Sequence, residues 1–217
     1  MKNILNLASL RIMTSKKLFI ADSCSVKKKP NLYSYTHIRG YHACRPIDPS
    51  LYYKKGIMAL HNDLRRQSAV HVFQRKLEDI IENEDESFAK ETSQVYFTAF
   101  KEELIESSGH YLCYGSEYLA SIASGFDRNI YGKYHNILLK TGTPTIFICD
   151  VPIDFISAEL LDDLISSYNP KDTNLGFWIN QTLPPEFIVA HEHPSRIFDP
   201  LCYFYRTNAQ CSCPLCV

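Results

Sequence analysis

Residues 143–150 read Thr-Pro-Thr-Ile-Phe-Ile-Cys-Asp, a short and nearly continuous apolar run of the kind that forms a buried strand. Downstream, Ile156 to Tyr168 has the spacing of an amphipathic helix. From Leu175 onward, short strand-like pieces are punctuated by Pro184, Pro185, Pro194 and Pro200. Upstream, Ser116 caps a helix that runs through Ala123 and stops at Gly125, and His110–Tyr114 reads as a strand leading into it. Residues 68–108 are helical in pattern. Val70, Phe73, Leu77, Ile80 and Ile81 form one stripe, Tyr96, Phe100, Leu104 and Ile105 a second, and the acidic run 82–86 is a solvated turn between them. Earlier still, Tyr33–Ile38 is a strand and 39–46 a loop. A short helix starts at Asp48-Pro49-Ser50 and ends at Gly56. Helices come early, strands cluster late and the two do not alternate, which is the pattern of an α+β fold.

The 217 residues carry 23 Lys+Arg against 24 Asp+Glu, a net charge of −1, and are 45% hydrophobic. That composition supports a real core and excludes wholesale disorder, and the balanced charge removes the simplest argument for a nucleic-acid binder. No apolar run approaches the roughly 18–20 residues of a membrane span. The N-terminal stretch, interrupted by Asn6 and Arg11, reads as mature chain rather than a signal peptide. Eight cysteines lack a regular disulfide framework, and Cys113 and Cys149 sit in apolar stretches as small hydrophobes. The expectation is a cytoplasmic protein with an N-terminal extension (1–30), one domain (31–206) and a cysteine-containing tail (207–217).

Three segments carry the candidate chemistry. Tyr41-His-Ala-Cys-Arg45 is followed by Tyr52-Tyr-Lys-Lys-Gly-Ile57, His110–Tyr114 leads into Gly115-Ser-Glu-Tyr118, and Pro185-Glu-Phe-Ile-Val189 opens a strand with a carboxylate. Taken singly, each has a plain structural reading: a surface histidine, an N-cap, a solvated edge glutamate.

In this order the segments resemble the motifs of the ADP-ribosyltransferase superfamily. There, a histidine strand precedes a short helix ending in Gly-Leu or Gly-Ile. A strand running into an aromatic or serine and then a helix comes next, and a glutamate opening an apolar strand comes last. The resemblance covers roughly residues 31–190 and implies a split mixed or antiparallel β core with helices packed early in the chain. It implies NAD as co-substrate and transfer of ADP-ribose to a macromolecular acceptor, nucleic acid or protein. Glu186 would be the catalytic carboxylate and Ser116 its support. His42 and Cys44 would bind the cofactor, with Arg39 or Arg45 on the pyrophosphate and Tyr114 or Tyr118 stacked on nicotinamide. A carboxylate against the ribose stabilises the charge that develops as nicotinamide departs. Pro184 stands where arginine-modifying members carry a second acid, so arginine is disfavoured as acceptor. Cys44 stands where a threonine or serine is commoner. A toxin or phage-defence role with a neutralising partner follows from the same resemblance. The alternatives are an RNA 2′-phosphotransferase of the same fold and a non-catalytic nucleotide- or protein-binding module.

Two further groups of ligand-type residues remain. Cys211, Cys213 and Cys216 would need Cys202, His191 or His193 to close a zinc site, and so near the chain end they read as incidental thiols, with no metal expected. His191 and His193 would share one face of a strand.

Overall fold

The structure, a computed structural model, describes residues 16–22, 29–90, 93–169, 174–208, 213 and 215–216. Its centre is the pair β2 (His37–Cys44) and β4 (Thr145–Pro152), antiparallel over their whole length from His37↔Pro152 to Cys44↔Thr145. β6 (Ile188–Glu192) lies antiparallel on the outer side of β4, with a register shift between Ile148 and Cys149. On the other side of β2 stands β3 (Val95–Thr98), joined to it by the single register pair Tyr41↔Thr98 and antiparallel to β5 (Gly176–Ile179). The order is β5-β3-β2-β4-β6, and β1 (Leu18–Phe19) adds parallel to β2 at His37 and Ile38. The sheet is therefore antiparallel in its main pairings, and the α+β expectation holds at that level.

Both faces of the sheet are covered, which is why β4 reads as an unbroken apolar run. Phe147, Cys149 and Val151 face one side with Ile38, Cys44, Phe97 and Phe177. Helices α1 (Ser50–Lys55) and α9 (Ala158–Ser167) pack there, α9 through Leu160, Leu161 and Leu164. Ile146 faces the other side with Tyr41 and Ala43, beneath a layer made of α2 (Asn62–Phe73), α3 (Leu77–Glu82), α5 (Lys101–Glu106), α6 (His110–Tyr114), α7 (Glu117–Asp127) and α8 (Lys133–Lys140). A short α4 (Glu86–Lys90) precedes β3, and the hairpin β7 (Arg196–Asp199)–β8 (Phe204–Thr207) docks on the helical layer through Ile197. No helix among the described residues is long and apolar enough to cross a membrane.

Several expectations need correcting. The strand expected at Tyr33–Ile38 begins only at His37, after a 3₁₀ turn at Leu32–Ser34, and runs through residues 39–44, expected as a loop, where Arg39 and His42 find partners on Asp150 and Tyr96. The 68–108 stripe is broken by Gln74 in the left-handed region (φ 52°) and by β3, whose Val-Tyr-Phe-Thr run is too short for periodicity to separate strand from helix. His110–Tyr114 is a helical turn closed by Gly115 at φ 91°, not a strand; Leu112, Cys113 and Tyr114 are all buried because the turn is enclosed by other elements. α7 runs past Gly125 to Asp127, and α8 was not anticipated. Residues 18–19, placed in an extension, belong to the sheet, with Phe19 buried in its core. Cys24 and Cys211 lie outside the described residues.

Candidate functional site

The first segment takes the expected local form. His42 lies on β2, Cys44 follows two residues on, and α1 ends at Gly56, whose positive φ of 81° and approach to the Leu183 carbonyl leave no room for a Cβ. Ile57 then bridges to Leu183. The His42 Nδ1 donates to the Tyr96 carbonyl at 2.9 Å, and its ring tilts against Phe97. This bond spans the place where β2 and β3 share only one register pair, so the imidazole ties together a sheet that is splitting. Donation from Nδ1 fixes the tautomer and leaves Nε2 as an acceptor. Burial lowers the His42 pKa, so the ring is neutral at pH 7. The Cys44 thiol is buried beside the Tyr52 hydroxyl and pushed up to about 12, chiefly by burial. It remains a protonated, weak donor.

The arginines are used structurally. Arg39 Nε lies 2.5 Å from Asp150, a carboxylate that also pairs with Lys16. Arg45 spends its guanidinium on four backbone carbonyls, those of Leu112, Leu139, Thr141 and Gly142. Neither is set to meet a pyrophosphate.

The second and third segments do not join His42. Tyr114 and Tyr118 are buried in the helical layer on the opposite face of the sheet. Tyr114 donates its hydroxyl to Asp199 at 2.8 Å, and Tyr118 packs edge-on against Phe88. Ser116 is an N-cap that accepts from Leu119 N at 3.2 Å. Glu186 is exposed in a 3₁₀ turn (Pro185–Phe187), and its neighbour Phe187 packs on His37 at the far end of β2. In the sheet, His42 is level with Phe147 and His191. Glu186 lies in the 3₁₀ turn that precedes β6, whose first residue, Ile188, is level with Cys149 and Gly40. The strand–hydroxyl–helix form expected at 110–118 occurs instead at β3 and α5, where Thr98 receives the Phe100 N–H and bonds the Glu103 carboxylate. The β-branched and aromatic residues of 95–98 were the available signal for that strand.

An open cleft of about 710 Å³ lies between α1 and β6, lined by Ser50, Tyr53, Lys54, His191, Leu215 and Cys216 among others. Tyr53 reaches across it, its hydroxyl oxygen 2.8 Å from His191 Nδ1. His191 on β6 and His193, one residue past its end, have ring centroids 5.0 Å apart and cluster with Cys213 and Cys216. The ligand atoms of these four residues lie within 4.8 Å of one another.

A pH dependence follows from His42 and from His37, whose pKa is lowered by burial and then by Lys16. Both bind protons more readily unfolded than folded. Their contribution to stability is therefore complete above about pH 6.5 and is lost as pH falls below it, at no more than about 1.4 kcal/mol per pH unit for each ring. Urea unfolding at pH 7.5 and 5.5 is expected to show the lower midpoint at pH 5.5. His42→Asn, which keeps a donor for the Tyr96 carbonyl, is expected to reduce that difference.

Compared with known proteins, the chain matches no family model, and no curated protein or solved structure is significantly similar to it.

Proposed function

We propose that the chain is a nucleotide-holding domain with an ADP-ribosyltransferase-like core, and that its ligand is NAD, bound without transfer. The observation that carries the reading is the whole form of the first segment at the split in the sheet. A strand bears His42, which tethers a second strand, Cys44 follows two residues on, and a short helix ends in Gly56-Ile57, paired with Leu183. A neutral imidazole with Nδ1 already committed is a preset acceptor for a ribose hydroxyl through Nε2.

Binding is favoured over transfer because the carboxylate is missing from the right place. Among the described residues no glutamate or aspartate opens a strand next to His42, and Glu186 lies exposed in the 3₁₀ turn before β6. A 2′-phosphotransferase would need cations lining the site, and Arg39 and Arg45 are already spent.

Thermal unfolding with NAD and with ADP-ribose tests the reading. At about 100 times its Kd a ligand of the folded state adds about 2.7 kcal/mol, a rise of roughly 5–10 °C for a chain of this size. His42→Ala is expected to weaken binding at least about tenfold, the loss of one ribose hydrogen bond, while Glu186→Ala leaves it unchanged and no nicotinamide is released. Absence of any shift at millimolar NAD, or a shift indifferent to His42→Ala, rejects the proposal. Nicotinamide release that disappears in Glu186→Ala restores the transferase reading.

A further inference from the structure

We infer that His191, His193, Cys213 and Cys216 form a closed tetrahedral zinc site that fastens the C-terminal segment onto the outer strand of the sheet. The inference is independent of any nucleotide. Its first support is geometry. A tetrahedral ion with zinc–sulfur bonds near 2.3 Å and zinc–nitrogen bonds near 2.0 Å separates its ligand atoms by about 3.3–3.8 Å. His191 Nε2 lies 3.2 Å from Cys216 Sγ and 3.6 Å from Cys213 Sγ, and all four ligand atoms fall within 4.8 Å of one another.

The second support is the preparation of the imidazoles. His193 Nδ1 is 2.9 Å from the Pro144 carbonyl, which can only accept, so the proton sits on Nδ1 and Nε2 carries a lone pair. That Nε2 is buried and has no hydrogen-bond partner among the described residues, an arrangement that is costly unless something electrophilic meets it. His191 repeats the pattern: Nδ1 is held by the Tyr53 hydroxyl while Nε2 is turned toward the sulfurs. In metal sites the outer nitrogen of each histidine is oriented by an oxygen in this way.

A donor set of two thiolates and two imidazoles selects zinc over the hard, oxygen-seeking cations. With four protein ligands no position is left for water or substrate, so the site is structural, not hydrolytic. Its placement gives the role. β6 ends the sheet order, and the ion would pin Cys213 and Cys216 against the face of that edge strand. Leu215 and Cys216 would thereby be fixed as one wall of the cleft whose other wall is α1, and Tyr53 would couple the two walls through His191. The thiols expected to be incidental become the clasp.

The test uses the untagged full-length chain, incubated with excess zinc, desalted and assayed for metal. One zinc per chain is expected, falling below about 0.2 in Cys213→Ser/Cys216→Ser and unchanged in Cys202→Ser. Cobalt replacement of zinc in the wild-type chain supplies a second readout that does not depend on the fold of the double variant. Thiolate-to-cobalt charge transfer together with the strong visible bands of tetrahedral cobalt supports the assignment. Folded wild-type chain that retains no zinc, cobalt bound without the thiolate band, or full zinc content in the double variant each overturns it.

Discussion

Arg45→Ala is expected to destabilise the protein by about 3–5 kcal/mol, a large share of the ~5–15 kcal/mol that holds a typical domain together. The side chain leaves the end of β2 and donates through Nε to Thr141 O (2.9 Å), through Nη1 to Leu112 O (2.9 Å) and through Nη2 to Leu139 O (2.7 Å) and Gly142 O (3.0 Å). These carbonyls belong to the C-terminal ends of α6 and α8 and to the turn after α8, where helical carbonyls lack an intrahelical donor. A cation also meets the negative end of both helix dipoles there. Burial lowers the guanidinium pKa to about 10, which still leaves it charged at neutral pH. Without it, four acceptors lose their donor at once, each costing about 1 kcal/mol. Arg45→Lys is expected to recover less than half, because one ammonium cannot reproduce the planar fork. Urea denaturation measures both. The surviving folded fraction of either variant is expected to bind NAD as the wild type does. Lost NAD binding with undiminished stability would return Arg45 to a pyrophosphate role.

Arg45 also shows where reading the sequence stops. Its acceptors lie 67 to 97 residues away, so no local pattern distinguishes a buried clamp from an anion binder. What could be read were features set by neighbouring residues. These were the apolar run of β4, the amphipathic spacing of α9, the Ser116 cap and the Gly56 stop, each governed by burial or backbone chemistry within a few positions. His110–Tyr114 was misread because a helical turn buried on several sides shows neither period. The histidines and cysteines of the metal centre were visible as ligand types. Their convergence was not, since it depends on the β7–β8 hairpin turning the chain so that Cys213 returns to His191 across 22 residues. The segment 110–118 went astray for the same reason: order along the chain says nothing about which face of the sheet a segment covers.

That distinction of faces is tested most sharply at Tyr114, expected from the motif to stack on nicotinamide and found bonded to Asp199 in the core. Asp199 is fully buried. One of its oxygens receives the Tyr114 hydroxyl at 2.8 Å and Arg206 Nε at 2.6 Å, and the other receives Leu201 N at 3.0 Å. Burial works against the charge of Arg206, but the Asp199 hydrogen bond and charge outweigh it and hold its pKa above the usual value. Burial, followed by the Asp199 carboxylate, pushes the Tyr114 phenol far above its ordinary range. The trio thereby fixes the β7–β8 hairpin to α6. Asp199→Ala is expected to cost about 3–5 kcal/mol, because it leaves a guanidinium and a buried hydroxyl without their acceptor. Tyr114→Phe removes one donor and leaves Asp199 its two others, so about 1–2 kcal/mol is expected. Combined with Asp199→Ala, Tyr114→Phe should add less than it costs alone, since the shared bond is already gone. Denaturant unfolding of the two single variants and the double gives this coupling directly. NAD titration of Tyr114→Phe supplies the discriminating observation. Wild-type affinity at reduced stability is the expected result, and wild-type stability with abolished affinity would put Tyr114 back at the ligand.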